Sequence, residues 1–565
     1  MLAGHPLHAQ VSEYDSASNV LTIPSVSVGA ATYTQVKLRN VGNYVFELQA
    51  ATDQVPPGPG VASFDAASGI VTMPAVKVGA VTYIDVTLRH RGNYVFELAG
   101  ATELPAATLA AVNALIEQSR QQFATATPAS GSARYAYFDS CYRSNGVTRQ
   151  WLVDDYDANL ALRRASAAYV VGFTPGTAQV TAVRQRSNAD GSTRQEIDVE
   201  YDQRYADGTY MRQATTMISG SSAGTPGCTT PQVTTAMRYY GNQQLVGTAV
   251  RARNMRFERY ALANGAALSP AIQYARRINW SVTDPMGNAT YVVVTGPGPN
   301  GNVNGSDVPF SLKFLSPRLL REAPELQGKP GNFLNWREDD SFRYCRVSDS
   351  GLPVVGRADC AGLGATSNEW GWTTSLPNAA SDSGFAAQGW VAGGVYRFDV
   401  YNDDGWKTVN GHSTRTPIAT YYDTLKVLPY AFVDMAGSGT NSDRFPRLSF
   451  GGSTPTLVAS NATSATPAPM SVSWTAPVLP QGSRPIALWG GWEFHQGPGT
   501  GNTGGAFNPA FRTINYVHPS SKALSATAWP VTAKVSGQAS KTYTEFSLQY
   551  LDREDQQLVS TILFQ

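Results

Sequence analysis

Asp198, Glu200 and Asp202 alternate in "DVEYD", so in an extended strand three carboxylates share one face. Arg251 and Arg253 alternate in the same way in "VRARN". Such stripes can neutralise each other as cross-strand ion pairs on a solvated sheet face. Left unpaired, the arginines would form a receptor for an anion or carboxylate; the paired arrangement is the expectation. Tryptophan offers a second chemistry, because ten of the 11 lie at or after Trp280. Trp370 and Trp372 in "SNEWGWTTS" are spaced to share a strand face, beside Asn368 and Glu369. Trp489 and Trp492 flank a Gly-Gly pair. Exposed indoles beside amides and carboxylates stack on sugar rings, so these four are candidate carbohydrate contacts. The competing reading places them in a β-sandwich core.

Catalytic patterns are weaker. Gly220-Ser221-Ser222-Ala223-Gly224 matches G-x-S-x-G, in which a strand must turn sharply into a helix to expose the serine hydroxyl. Here "TPGCTTPQ" follows and cannot start a helix promptly, so a disulfide-anchored surface loop is expected. His412, His495 and His518 would supply a base only from another domain. Asp155, Asp157 and Asn159 imitate half of a calcium loop, but Leu160 stands where glycine is needed and Ser166 where a bidentate glutamate belongs. Asp403 and Asp404 in "YNDDGW" read as a solvated turn, with a loose cation site as the alternative. Glu369, Glu493, Asp339 and Asp340 could form a glycosidase pair only from distant segments. No catalytic residue, metal site or cofactor is expected.

The elements around these residues are mostly strands. At 565 residues the chain exceeds a single core. Only 15% of it is charged, against about 25% in an average globular protein. With 52 Gly and 34 Pro, this composition suits short strands and tight turns in an exported β-protein. A net charge of +1 gives no field to recruit nucleic acid, and no apolar run reaches the roughly 18 residues needed to span a bilayer. Residues 1–10 read as a disordered start or the remnant of a targeting segment.

Val11–Gln54 and Val61–Leu104 align without gaps at an offset of 50, and 24 of 44 positions are identical. Each copy reads as about three strands, with Gly29 and Gly42 at turns and Tyr44, Phe46 and Leu48 lining the third. Leu21 and Ile23 alternate in one phase and Val26 and Val28 in the other, so Pro24 marks a slip, as Pro74 does in the second copy. So short a unit buries little alone, and the copies are expected to pack together. The pattern "LTIPSVSVG" resembles tandem repeats of uncharacterised exported bacterial proteins, a resemblance that implies no chemistry.

After this 11–104 region, Pro105 opens a helix whose stripe is Leu109, Val112, Ile116 and Phe123, within a helix and linker over 105–133. The segment 134–275 reads as an antiparallel α+β domain with hairpins at Asp190-Gly191 and Asp207-Gly208. "MSVSWTAPV" resembles an early strand of fibronectin type III or immunoglobulin-like sandwiches, which implies an immunoglobulin-like module with insertions over 276–454 and a fibronectin-like one over 455–565. The expected fold class is thus mainly β and multidomain. Four cysteines allow three pairings, and Cys141–Cys228 with Cys345–Cys360 keeps each bond inside one domain.

The leading expectation is a non-catalytic protein, extracellular, cell-surface or periplasmic, with a structural, adhesive or envelope role. Its expected partners are other surface proteins, polysaccharide or itself. A polysaccharide-binding module is the alternative, and a hydrolase with a dispersed site comes third.

Overall fold

Each copy of the repeat folds into four strands, one more than its sequence suggested. The computed structural model describes residues 11–54, 61–125, 131–158, 170–173, 178–205, 210–261, 263–284, 286–289, 291–298, 301–303, 306–308, 310–315, 343–346, 369–402, 416–436, 444–450, 454–463, 470–475, 477, 483–495, 513–517, 527–529, 540–552 and 556–564. The first copy comprises β1 (Ser12–Asp15), β2 (Val20–Val28), β3 (Ala31–Gly42) and β4 (Val45–Gln54). The second comprises β5 (Ala62–Asp65), β6 (Ile70–Val78), β7 (Val81–Gly92) and β8 (Val95–Glu103). All eight make one sheet in the order β1-β2-β3-β4-β8-β7-β6-β5, which closes on itself because β1 also pairs with β6 and β5 with β2, both parallel.

Adding 50 to either partner of a contact between the copies generates another observed contact, once numbers are taken around the pair. Ser12↔Val76 becomes Ala62↔Val26, and Val45↔Glu97 becomes Val95↔Glu47. Phe46↔Phe96 maps onto itself. The copies are therefore related by a pseudo-two-fold axis through that phenylalanine pair, the arrangement of an isologous dimer written into one chain. The expected slip at Pro24 has its explanation here. β2 pairs with β1 before the proline, through Val20–Thr22, and with β5 after it, through Val26–Val28. Leu21, Ile23, Val26, Val36 and Leu38 of the first copy share a core with Val71, Met73, Val76, Val86 and Leu88 of the second. Tyr44 departs from the expected strand face: it lies in a turn and is exposed.

α1 (Ala106–Thr125) begins directly after Pro105, and its Val112, Leu115 and Ile116 are buried. It is followed by α2 (Gly131–Tyr135), the short strands β9 (Arg143–Ser144) and β10 (Val147–Thr148), and α3 (Arg149–Ala158). Five further strands, β11 (Val170–Phe173), β12 (Gln179–Ser187), β13 (Thr193–Tyr205), β14 (Tyr210–Ser221) and β15 (Val233–Tyr239), form an antiparallel sheet. The buried side chains Val112 and Ile116 meet Ile197, Val199 and Met217 in one core, together with Ala75, Ile84 and Leu104 of the second repeat copy. In the first copy those three positions are Ser25, Thr34 and Gln54. The barrel thus docks on the α+β unit through its second copy.

β16 (Gly247–Tyr260) and β17 (Ala267–Thr283) belong to the next sheet, so the boundary expected at 275/276 falls inside a strand. β16 pairs in parallel with Gln557–Phe564, and the strand Ser540–Asp552 adds antiparallel beside it. Residues 276–454 and 455–565 therefore share one seven-stranded sheet, where two separate sandwiches were expected. One part of this sheet packs Trp280 against Phe314, Tyr396 and Phe398 of a five-stranded sheet. Another part packs Phe546 and Phe564 against Phe450 and Val458. Among the described residues no helix is long and apolar enough to cross a membrane.

Candidate functional site

Each carboxylate of the acidic β13 stripe is paired, but not with the arginines expected. Arg184 of β12 holds Asp198 with two bonds of 2.5 and 2.7 Å, and the Thr216 hydroxyl donates to Asp198 at 2.7 Å. Arg212 of β14 reaches Glu200 at 3.2 Å and Asp202 at 3.4 Å. Glu196 accepts from Arg194 at 2.8 Å and Arg184 at 3.4 Å, with Arg186 at 3.6 Å. Hydrogen bonding to Asp198 is the main cause that raises the Arg184 pKa, so the guanidinium stays charged. Four carboxylates face four guanidinium groups, which leaves the stripe balanced. Arg251 and Arg253 lie on β16, in a different sheet, because the hairpin connections give β13 its neighbours from β12 and β14.

Ser222 is 0% exposed. Its hydroxyl oxygen accepts from the Gln232 amide at 2.9 Å and lies 3.3 Å from Cys141 Sγ. The Cys141–Cys228 disulfide is present, with Cα atoms 5.2 Å apart across 87 residues. Behind it, Asp139 accepts from Arg238 at 2.8 and 3.1 Å and from the Cys141 amide at 2.8 Å, all in the interior. The chain leaves β14, makes this anchored loop and enters β15, so no helix follows the serine. As expected it is an anchored loop, although its serine is buried. Nothing local in the sequence announces the Asp139–Arg238 pair, whose members are 99 residues apart.

Asp157, from the rejected calcium pattern, pairs with Arg134. The Arg134 guanidinium is wholly buried and lies 5.5 and 5.2 Å from the ring centres of Phe123 and Tyr156. This is cation–π packing that braces α1 against α2 and α3. The Asp155 side chain and Asn159 lie outside the described residues, as do Asp339, Asp340, Asp403, Asp404, His412, His518 and Cys360. The same holds for the side chains of Cys345, Glu369, Trp370, Trp489, Trp492, Glu493 and His495, whose backbones are in strands. Trp370 is registered with Ile278, while Trp489 is registered with Tyr516 and Ser547. Among the described residues no cluster of metal-ligating side chains occurs.

Two aromatic features stand at the surface among the described residues. Trp372 is 42% exposed, and its indole rests on Gly384, where an added Cβ would meet the ring at 3.4 Å. That glycine lies in the helix Ala379–Ala386, capped reciprocally by Asn378 and Ser381. Asp382 of the same helix accepts from Arg276 at 2.9 Å and from the Phe432 amide at 2.7 Å. Arg276 also covers the Phe385 ring at 3.9 Å, and burial lowers its pKa despite Asp382. The indole therefore has a rigid seat.

Tyr44 and Tyr94 are the second aromatic feature, 67% and 69% exposed. Each is the second central residue of a hairpin turn with two positive φ angles, 51° and 59° at Asn43-Tyr44 and 48° and 59° at Asn93-Tyr94. Asparagine followed by glycine is the favoured pair for such a turn. A tyrosine there costs about 1 kcal/mol of backbone strain. Their carbonyls accept from Leu98 and Leu48 amides at 3.1 Å each, so the turns flank the pseudo-two-fold axis.

No family profile matches the chain, and no curated protein matches it. A solved structure described as a tetra-tandem repeat in the extending region of a large adhesion protein aligns with 67% of this chain and 65% of its own length. The identity is 9% and the TM-score 0.12, too low for the likeness to carry an argument about fold or role.

Proposed function

We propose that the chain is a non-catalytic exported protein with a structural, adhesive or envelope role, and that its duplicated barrel presents paired tyrosines to a surface partner. The strained Tyr44 and Tyr94 turns carry this reading. Backbone strain retained at equivalent points of both copies, with the side chains in solvent, contributes nothing to the core and points to use at the surface. The internal consumption of Ser222 and the β13 carboxylates fits a role that needs no reactive group. The Cys141–Cys228 bond fits an oxidising compartment outside the cytoplasm.

The half-exposed Trp372 supports polysaccharide binding as a second reading. Co-sedimentation of the full chain with cell-envelope fractions and with insoluble polysaccharides separates the two. The double variant Tyr44→Gly/Tyr94→Gly relieves the strain of both turns, so it is expected to raise the urea midpoint and yet lose most envelope binding. Unchanged binding in that variant would sink the first reading. Selective loss of polysaccharide binding in Trp372→Ala would favour the second.

A further inference from the structure

The contacts that close the barrel are reciprocal. The first copy gives β1 to β6 and takes β5 along β2, and the second does the same in return. The β4–β8 seam is likewise its own mirror under the pseudo-two-fold axis, from Val45↔Glu97 to Glu47↔Val95. Each copy is thus a complete partner for the other, and nothing in these contacts requires both to come from one chain. The copies also differ in their attachment. β6 and β7 of the second copy pack on β12, and Ala75, Ile84 and Leu104 enter the α+β core. Among the described elements, β1–β4 make their extensive contacts with the second copy, and Val11, just before β1, packs against the α+β core.

We propose that the first copy exchanges between chains, so that β1–β4 of one molecule complete the barrel on β5–β8 of another. Reciprocal exchange yields a two-fold dimer, and one-way exchange yields an open head-to-tail polymer with an unfilled barrel half at each end. The two copies are joined by six residues between Gln54 and Val61, so opening that single connection releases the first copy to a second chain. The same short tether gives the closed form an effective concentration on the order of millimolar. Exchange is therefore a minor product in dilute solution, about a tenth of chains at about 0.1 mM, and grows where chains are crowded. The inference stands apart from the adhesive reading, because it concerns a second copy of this chain and not a foreign partner.

The test uses two full-length variants, Val45→Cys and Glu97→Cys. Directly opposed antiparallel residues lie about 4.5–5.5 Å apart, within reach of a disulfide. Chains of the two kinds are mixed at about 0.1 mM, incubated or refolded together, oxidised and analysed by non-reducing electrophoresis with peptide mapping. The expected result is a species of twice the chain mass joined through positions 45 and 97, formed in the mixture and in neither variant alone. The double variant Val45→Cys/Glu97→Cys in one chain serves as the reference, and should close its own bond. If it does so while mixed chains never join through 45 and 97, exchange is overturned. If the double variant fails to close, the pairing on which exchange rests is overturned as well.

Discussion

Ser25 in the first repeat copy and Ala75 in the second occupy the same register position, as do Thr34 and Ile84. Strands, turns and positive-φ residues repeat between the copies almost residue for residue, down to Asn19 at φ 58° and Gly69 at φ 67°. Yet Ala75 and Ile84 belong to the core shared with α1 and β13, whereas the Ser25 hydroxyl accepts from the Val61 amide and the Thr34 hydroxyl turns to the Thr52 carbonyl. The fold of the unit tolerates either set. What the apolar set adds is a place to dock, so divergence between duplicated copies marks which one became the anchor.

The sharpest way to break this comparison is to give the anchor its twin's side chain. Ile84→Thr removes buried apolar area and buries a hydroxyl, and is expected to cost about 2 kcal/mol in urea unfolding. The reverse change, Thr34→Ile, should cost less: Thr34 is also buried, but it stands outside the α+β core, and the change forfeits one long hydroxyl bond, 3.4 Å to the Thr52 carbonyl. Equal losses would mean that the docking argument is wrong. A smaller effect is expected at the β5–β6 turn. An added Cβ at Gly69 has room, with His90 Cβ 3.7 Å away, so the cost of Gly69→Ala is set by its positive φ, about 1 kcal/mol. Gly69→Asn should be nearly neutral, since Asn19 already occupies the equivalent place. Thermal melts of the two variants, read side by side, check the ordering.

Much of this is legible in the sequence. The fifty-residue offset comes from direct alignment of the two copies, and the proline slip, the α1 stripe and the hairpin after β12 come from patterns that span a few residues. The fourth strand of each copy was not, because β1 is only four residues long and half its pairing lies in the other copy. The seven-stranded sheet was hidden for the same reason: Asn254 meets Gln556 across 302 positions, and no local pattern carries that distance. The partners of Asp198, Glu200 and Asp202 could have been found. Once Asp190-Gly191 sets the hairpin, counting across it places Arg184 opposite Glu196, beside Asp198 on the same face. Arg251 and Arg253 drew the assignment away because they matched the stripe in spacing alone.

The smallest effect is one that both copies should share. Asp15 and Asp65 have pKa values lowered first by the Ser18 and Ser68 hydroxyls and then by the Ala17 and Ala67 amides. A folded pKa below the unfolded one gives stability that is present above the unfolded value and lost as pH falls through the folded one. Urea midpoints should therefore decline below about pH 4, the usual range for an aspartate. Asp15→Asn and Asp65→Asn should flatten that decline by equal, small amounts. A decline that responds to one substitution and not the other would contradict the symmetry of the turns.

The central claim is that two copies of one fold differ in bracing, and hydrogen exchange can read this directly. Peptides from β3–β4 and β7–β8 share more than half of their residues, and the comparison is made on protection factors, which remove the remaining difference in intrinsic rate. In the native full-length chain, the β7–β8 amides are expected to exchange at least about tenfold more slowly than those of β3–β4, because opening them also breaks the packing of β7 on β12 and removes Ile84 from the core it shares with α1. Equal protection in the two peptides, or better protection in β3–β4, would contradict the account.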